Sequence, residues 1–261
     1  EPKYVQFFAP GIVTSSSSTT GDIQKTNIDV AKAHGAQVLI QVGNIADAKV
    51  ALEAGVDGII AQGSEAGGHG LRKDLGCGTF SLAARIAQLS AAGPKIPVLA
   101  AGGMMNGHSL AAALALGCDG IVLGTRLWGS HEGMGRVDHK DRLMTAEADD
   151  CLRTTVVDQI YNTYSPTPWP YPYDSVGILK NKLTDEWDGK PQEELASAME
   201  IVAPQYRQAV KDGDTDLGHV YAGEGVGDIS SIEGTYDIIQ GIHKEAMEIV
   251  TSMPKFLQDL N

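Results

Sequence analysis

A histidine framed by glycines is the residue in this sequence best suited to chemistry. The segment QGSEAGGHG, Gln62 to Gly70, follows a short apolar run of strand length and contains His69. An imidazole can both take and give a proton near neutral pH. Gly67 and Gly68 would let the backbone approach a ligand closely. A lone histidine more often makes a hydrogen bond within a turn, but this glycine frame favours a catalytic base.

Two further glycine turns follow later strands, AAGGM at 100–104 and LGTRL at 123–127. In parallel α/β folds, ligands bind at the carboxyl ends of the strands. Backbone amides at such turns form anion sites, although tight turns also need glycine for a positive φ. The predicted phosphate-binding residues are Gly102, Gly103, Gly124 and Thr125.

Other polar and aromatic residues are weaker candidates. His108 lies just inside a predicted helix start and is interpreted as a local cap, whereas His131 and Glu132 follow the last strand and are only minor candidates for a pocket. The aromatic residues of TYSPTPWPYPYD at 163–174, among them Trp169, could cover a pocket but more often pack a surface loop. The carboxylates form no metal-ligand pattern, so no metal site is expected.

The elements that must position these residues alternate between strand and helix. Strands are predicted at 4–10, 38–42, 58–63, 97–103 and 120–125, and helices at 23–34, 44–54, 80–91 and 107–116. Asn44 is the predicted N-cap of the second helix. Apolar strands that alternate with helices indicate a parallel sheet covered on both faces. A doubly wound sheet and a barrel both satisfy this pattern.

An internal repeat supports the same organisation. ALEAGVDGIIAQG at 51–63 matches ALALGCDGIVLGT at 113–125. The spacing of the two copies is what two βα units of about 30 residues would produce. A closed barrel needs eight strands, so about three more units, or roughly 90 residues, would have to come from elsewhere.

The alternation of predicted strands and helices ends in the second half of the chain, which suggests three regions. Residues 1–130 are predicted to form the sheet and its helices, 131–218 an irregular, partly helical insertion or lid, and 219–261 a glycine turn and a last helix. The polar tract at 14–20 is predicted to be a flexible loop. The last helix carries an apolar stripe that would pack back on the first region as its closing helix. The stripe consists of Ile238, Ile239, Ile242, Ala246, Ile249, Val250 and Met253.

Composition excludes several classes of protein. The chain has 261 residues and a net charge of −13, which argues against nucleic acid or an anionic membrane as a partner. No apolar run reaches the roughly 18 residues of a membrane span, and the first ten residues do not read as a secretory signal. Three cysteines without CxxC spacing fit a reducing compartment, so a cytoplasmic protein is expected.

Several of these segments together resemble a known family. QVGNIADAKVAL, AQGSEAGGHG, IPVLAAGGM, NGHSLAAALALGCDGIVLGTR and the late YAGEGVG are similar to the nitronate monooxygenase (2-nitropropane dioxygenase-like) family, in particular its fungal-type branch. The similarity runs in one order from about Tyr4 to the C-terminus, which makes it far more specific than any single motif.

The resemblance implies a TIM-like (β/α)8 barrel that holds FMN, with a smaller inserted domain. It implies oxidation of alkyl nitronates or nitroalkanes by O₂ to carbonyl compounds and nitrite, with His69 as the base. Gln41 and Gln62 match strand-end positions that face the isoalloxazine ring. The full set of predicted cofactor contacts is Gln41, Gln62, Gly63, Ala66, Gly67, Gly68, Ala101, Gly102, Gly103, Gly124 and Thr125.

The sequence departs from the family at its beginning. The first three βα units of the barrel have no counterpart here, so the chain is predicted to hold only the C-terminal five units, with sheet edges that a missing N-terminal segment or another copy would cover. Two alternatives stay open at this stage. The same glycine–histidine motif occurs in flavin-dependent enoyl thioester reductases of the same fold, and a truncated barrel without FMN would be non-catalytic.

Overall fold

A computed structural model describes residues 3–8 and 27–253 of the chain. Its strands form one parallel and one antiparallel sheet. The strands in chain order are β1 (Tyr4–Phe8), β2 (Gln37–Val42), β3 (Gly58–Gln62), β4 (Gly68–Gly70), β5 (Val98–Ala101), β6 (Gly120–Val122), β7 (Cys151–Thr154) and β8 (Ser175–Leu179). The helices are α1, described over residues 27–33, α2 (Ile45–Glu53), α3 (Thr79–Ala92), α4 (Gly107–Ala115), α5 (Thr125–Trp128), α6 (Val137–Leu143), α7 (Val156–Tyr161), α8 (Lys182–Trp187), α9 (Gln192–Asp212) and α10 (Thr235–Ser252).

The parallel sheet has the strand order β1-β2-β3-β5-β6, and every neighbouring pair is parallel. The five predicted strands are therefore confirmed, as is the parallel α/β sheet. A doubly wound sheet would reverse its strand order at a switch point. Here the strands follow one another across the sheet in the same order as along the chain. This is the strand order in the wall of a barrel.

The main hydrophobic core lies between this sheet and its helices. Val38, Ile40 and Val42 alternate along β2 toward the helix side, and all three are almost completely buried. On the opposite face of the sheet, Leu39 and Leu99 are only partly buried. Ile60 of β3 lies on this same face and is 2% exposed. The predicted cover on both faces is therefore present at β3 and is weaker on this side at β2 and β5. The strand-end side chains of the site lie on the less covered face.

The repeat seen in the sequence corresponds to two equivalent turns in the structure. Asp57 precedes β3, and its Oδ2 accepts a hydrogen bond from the backbone N–H of Val38 at 2.8 Å. Asp119 precedes β6, and its Oδ2 accepts from Val98 at 2.8 Å in the same way. Each aspartate thus ties the start of its own strand to the start of the neighbouring strand. The two copies are the units α2–β3 and α4–β6.

Side-chain caps fix where two of the helices begin. Asn44 is the N-cap of α2, as predicted, and its Oδ1 accepts from Asp47 N at 2.8 Å. Asn106 caps α4 and forms a capping box with Ser109. The prediction that His108 caps this helix locally is wrong, because Asn106 occupies the cap. His108 instead pairs with Glu245 of α10, Nδ1 to Oε1 at 3.0 Å.

The region after residue 130 is more regular than the sequence suggested. It contributes β7 and β8 to an antiparallel sheet of order β4-β8-β7, and a second core lies between this sheet and helices α7, α8 and α9. The segment SVGIL of β8 is buried at every position. Such a short apolar run beside several prolines gives no periodicity by which sequence could distinguish it. The boundaries proposed at residues 130 and 218 stay predictions.

The last helix packs back on the first region, as its apolar stripe predicted. Ile238, Ile242 and Ala246 are buried, whereas Ile239 and Val250 remain more than a third exposed. The contact with α4 is close. A Cβ at Gly107 would lie 2.5 Å from Ala246 N, so only glycine fits there. The loop at 14–20 and the first residues of the helix predicted at 23–34 lie outside the described residues.

Candidate active site

A cavity of about 330 Å³ lies at the carboxyl ends of the parallel strands, a volume within the range typical of small-molecule sites. All the residues predicted from the sequence to bind cofactor or substrate line it, except Gly63. Because β2, β3, β5 and β6 are parallel neighbours, the loops that follow them meet at one edge of the sheet. The predicted residues that line the cavity are Gln41, Gln62, Ala66, Gly67, Gly68, His69, Ala101, Gly102, Gly103, Gly124 and Thr125.

Gly63 lies outside this cavity, where it packs against the start of α3. A Cβ at this position would come 2.0 Å from Thr79 Oγ1 and 2.3 Å from Thr79 N. Glu65 fixes the same helix start, because its Oε2 accepts from Thr79 N at 2.7 Å and from Thr79 Oγ1 at 2.6 Å. Glycine is required at Gly63 for packing between β3 and α3.

Three glycines leave bare backbone facing open space at the cavity. A Cβ at Gly68 or Gly124 would meet no protein atom within 4 Å. At Gly103 the nearest atom would be Glu65 Cβ, at 3.9 Å. Gly68 and Gly103 also have a φ of +70°, which few residues other than glycine adopt. A bound group can therefore approach the main chain at these positions more closely than any side chain would permit.

His69 lies in β4 rather than in a loop. No strand was predicted there, since β4 has only three residues and two are glycines. His69 pairs with Val176 of β8, and its carbonyl accepts a hydrogen bond from Gln62 Nε2 at 2.9 Å. The histidine is thus anchored at once to the antiparallel sheet and to the end of β3.

The imidazole of His69 is bound to a buried carboxylate. Its Nε2 lies 2.8 Å from Oδ1 of Asp158, in the first turn of α7. The side chain of Asp158 is 2% exposed and that of His69 is 14% exposed. Sequence reasoning missed Asp158, because 89 residues separate it from His69 and no motif surrounds it.

An aromatic side chain from the proline-rich loop covers one face of the imidazole. The ring of Trp169 stacks on His69 with 4.0 Å between centroids and 12° between planes. Leu71 and Tyr173 are buried beside Trp169, and Tyr173 Oη donates to Asp47 Oδ2 at 2.6 Å. Trp169, Tyr171 and Tyr173 do not line the cavity itself, so the loop contributes to the site through the contact of Trp169 with His69.

Arg153 holds the loop that leads to His69. Its guanidinium donates to the carbonyls of Ser64 at 3.3 Å, Ala66 at 2.6 Å and Ser175 at 3.2 Å. Burial lowers the pKa of Arg153 to about 10, against the opposing effect of nearby Glu224. This residue couples the second sheet to the glycine-rich loop.

The turn at 221–227 completes the cavity wall. Gly223 N donates to Thr125 Oγ1 at 2.9 Å. A Cβ at Gly67 would come 2.6 Å from the backbone carbon of Ala222, so these two turns pack main chain against main chain. The sequence marked this segment as glycine-rich but gave no reason to place it at the site. The lining residues not predicted from the sequence are Met104, Met105, Val122, Trp128, Tyr221, Gly223 and Gly225.

A cluster of aromatic side chains, Tyr221, His219 and Tyr206, lies next to His69. Tyr221 is 6.5 Å from His69 and 4.5 Å from His219, centroid to centroid, and Tyr206 Oη lies 2.6 Å from His219 Nδ1. Burial raises the pKa of Tyr221 to about 12 and also raises that of Tyr206. Burial and the neighbouring histidines lower the pKa of His219 to about 4. At neutral pH this cluster is uncharged.

The remaining candidates lie elsewhere. His131 and Glu132 are exposed and do not line the cavity; Glu132 Oε2 instead accepts from Thr235 N at 2.8 Å, a bond that lowers its pKa. In residues 3–8 and 27–253, no three His, Cys, Asp or Glu side chains come together so that they could hold a metal ion. Within the same ranges, no helix has both the length and the apolar character needed to cross a membrane.

Parallel strands that end around a ligand-sized cavity, with a histidine bound to a buried carboxylate at its wall, define an α/β protein of the small-molecule enzyme class. Comparison with known families agrees. The chain belongs to the nitronate monooxygenase family, whose model matches residues 10–245. That family implies a flavin-dependent oxidoreductase.

Individual relatives support the family and its fungal-type branch. The chain is 30% identical to a nitronate monooxygenase of Neurospora crassa over 98% of this chain and 66% of that protein. It is 30% identical to the nitronate monooxygenase npaC of Metarhizium robertsii over 83% of this chain and 60% of that protein. The chain spans 58% to 66% of the length of these two relatives and two further ones.

Solved structures share the fold. FabK from Thermotoga maritima superposes with a TM-score of 0.74 over 98% of this chain and 79% of that chain, at 24% identity. A nitroalkane oxidase from Streptomyces ansochromogenes superposes with a TM-score of 0.67 over 88% of this chain and 62% of that chain, at 26% identity. At its level of identity, the likeness to FabK concerns the fold alone.

Proposed function

We propose that the protein oxidises alkyl nitronates and nitroalkanes with FMN as cofactor and O₂ as electron acceptor, giving carbonyl compounds and nitrite. The observation that carries this proposal is the position of His69 at the wall of a cavity that glycine turns surround. Membership of the nitronate monooxygenase family supports the same chemistry.

The cavity fits a flavin nucleotide. Gly68, Gly103 and Gly124 offer main chain on which no Cβ stands in the way, and main-chain amides at such turns favour an anionic group. None of the side chains that line the cavity in the described part of the chain is Asp, Glu, Lys or Arg. The amides around Gly102, Gly103, Gly124 and Thr125 would hold the phosphate. Gln41, Gln62, Ala66, Gly67, Gly68 and Ala101 would contact the rest of the cofactor.

The division of labour follows from these positions. FMN, when bound, supplies the two-electron oxidation and the reaction with O₂. His69 takes the α-proton of a neutral nitroalkane and contacts the nitronate that results. Met105, Trp128 and Tyr221 also line the cavity and would exclude water from it.

We further propose that the parallel sheet is the C-terminal arc of a (β/α)8 barrel. The unreversed strand order supports this proposal, as does the half-covered face of β2 and β5, which would point into the barrel. The relatives are longer than this chain, in keeping with a barrel of more strands. Whether the arc binds FMN on its own is the first thing to measure.

The test begins with the visible absorption spectrum of the pure protein, before and after addition of FMN. We expect a bound-flavin spectrum and oxygen consumption with ethylnitronate and with nitroethane. His69→Asn should lower kcat/KM for nitroethane by about 10²–10⁴, the usual size of general-base catalysis, and affect the nitronate less. His131→Asn, the same change at an exposed histidine outside the cavity, is the matched control.

Three results would overturn the proposal. A folded protein that takes up no FMN would be the non-catalytic form of the fold. A flavoprotein that ignores both nitro compounds but oxidises NADPH with an enoyl thioester would be a reductase. Equal loss of nitroethane and nitronate turnover in His69→Asn would show that His69 is not the base.

A further inference from the structure

The carboxylate of Asp158 faces His69 and has no other hydrogen-bond partner among the described residues. Oδ1 lies 2.8 Å from Nε2 of the imidazole, whereas Oδ2 is buried and unpaired. Burying a carboxylate oxygen without a hydrogen-bond partner costs free energy. Among the described residues, the charge-assisted hydrogen bond to His69 is the contact that orients this carboxylate. This arrangement has a role beyond filling space.

The hydrogen bond determines which ring nitrogen is available for chemistry. An ionised carboxylate only accepts hydrogen bonds, so the proton between the two groups belongs to Nε2. In the neutral imidazole the other nitrogen, Nδ1, then carries the free lone pair. Nδ1 makes no hydrogen bond to the described residues, and His69 lines the cavity.

We infer that Asp158 is a positioning residue for His69, which keeps Nε2–H on the carboxylate and presents Nδ1 to the cavity as the proton acceptor. The statement about the tautomer rests on the hydrogen bond alone, and the statement about proton transfer rests on the proposed function. In that transfer, the α-C–H bond of the nitroalkane breaks and its proton forms a bond to Nδ1. The electron pair stays on the substrate as the nitronate, and the new imidazolium is balanced by the charge of Asp158.

Three titratable groups that interact with Asp158 or His69 add no charge next to this pair. They are Tyr206, Tyr221 and His219. Burial raises the pKa of both tyrosines and lowers that of His219, so all three are neutral at pH 7. Trp169 stacks on a face of the imidazole ring rather than against its edge. Asp158 is therefore the group that decides the tautomer.

The first experiment needs neither flavin nor turnover. The ¹⁵N spectrum of the histidine side chains in the unmodified protein distinguishes a protonated from an unprotonated ring nitrogen, and His69→Asn identifies the signals of His69. We expect neutral His69 to carry its proton on Nε2, both with and without added FMN. A proton on Nδ1 in the neutral ring would overturn the inference without any variant of Asp158.

The second experiment changes the carboxylate. In Asp158→Asn either end of the amide can face the imidazole, since Oδ2 has no partner to fix it. We expect the single tautomer of His69 to become a mixture that includes Nδ1–H. Asp188→Asn is the control, because Asp188 also accepts a side-chain hydrogen bond, from Thr154 Oγ1 at 2.6 Å, but does not touch His69. Identical tautomer populations in Asp158→Asn and wild type would overturn the inference.

Kinetics separate positioning from a purely structural role. Asp158→Asn should lower kcat for nitroethane by about 10²-fold or more, leave KM little changed, and spare turnover of ethylnitronate, which needs no proton abstraction. A loss shared equally by both substrates would contradict the role in proton transfer. Wild type could carry the expected tautomer and turn over neither substrate. The proposed function would then be wrong, but the inference that Asp158 keeps the proton of His69 on Nε2 would remain valid.

Discussion

At the scale of single residues, the glycines of the cavity differ in what a side chain would meet. Gly63 and Gly67 are enclosed by protein, so a methyl group there would collide with Thr79 or with Ala222. Gly124 faces open space at the cavity. Sequence alone could not tell these glycines apart, but the structure divides them into those enclosed by protein and those that face open space.

This difference predicts the behaviour of Gly124→Ala. With no atom within 4 Å and a φ of −106°, the variant should fold with a free energy of unfolding within about 0.5 kcal/mol of wild type. Its affinity for FMN, measured by flavin fluorescence, should fall about tenfold or more, because the methyl group would enter the proposed phosphate site. Gly241→Ala, equally free of neighbours but in α10, should bind FMN like wild type. Unchanged FMN affinity in Gly124→Ala would place the phosphate elsewhere.

Single residues also show where sequence interpretation reached its limit. His69 and the three glycine turns were predictable, because glycine and histidine in adjoining strand-end loops are a local signal. Asp158 was not, because a buried aspartate in a short helix has many possible surroundings. Trp169 was only one of two possibilities, a cover for a pocket or a residue packed in a surface loop. Only the tertiary structure brings both onto one imidazole.

At the scale of elements, strand β4 connects the two sheets. It belongs to the antiparallel sheet, but its His69 lines the cavity at the carboxyl ends of the parallel strands. Arg153 on β7 reinforces this connection through the carbonyls of Ser64, Ala66 and Ser175. The alternation of β1, β2, β3, β5 and β6 with helices was predictable from apolar runs that end at glycine. The antiparallel sheet was not, since its strands have three to five residues, and β7 and β8 lie on either side of the segment rich in proline and tyrosine.

We expect Arg153→Lys to loosen the loop at 64–70. One ammonium group cannot serve three carbonyls that a planar guanidinium reaches together, and a lost charged hydrogen bond typically costs about 1.5–3 kcal/mol. The prediction is a lower free energy of unfolding by about that amount and faster amide hydrogen exchange in residues 64–70. Arg85→Lys, at an exposed arginine of α3 bound to Gln88, should alter neither. Wild-type exchange rates in Arg153→Lys would refute the coupling.

At the scale of the whole molecule, the stability of the fold should depend on pH through His219. Its pKa is about 4 in the folded protein and about 6.5 when unfolded, so the unfolded chain binds the extra proton between these values. Folding keeps His219 neutral, so its contribution to the free energy of unfolding is fully present above about pH 6.5. That contribution is lost as the pH falls from 6.5 toward 4. Between pH 7 and pH 5 this amounts to about 2 kcal/mol.

The measurement is urea unfolding of wild type and His219→Gln at pH 7 and pH 5. Wild type should lose about 2 kcal/mol more than the variant over this interval, because glutamine has no proton to gain. Carboxylates that titrate in the same range affect both proteins alike and cancel in the comparison. His243→Gln, at an exposed histidine of α10, should follow wild type. Parallel pH profiles for His219→Gln and wild type would exclude this source of acid sensitivity.

The shared strand β4 has a consequence for protein engineering. Because His69 pairs with Val176 and bonds to Asp158, a chimera that exchanges residues 151–221 with those of a relative would leave the histidine of one parent on the scaffold of the other. A functional graft would have to move residues 64–70 together with the later segment, although they lie far apart along the chain. Recombination between relatives should succeed most often when its crossover points keep these two segments from the same parent.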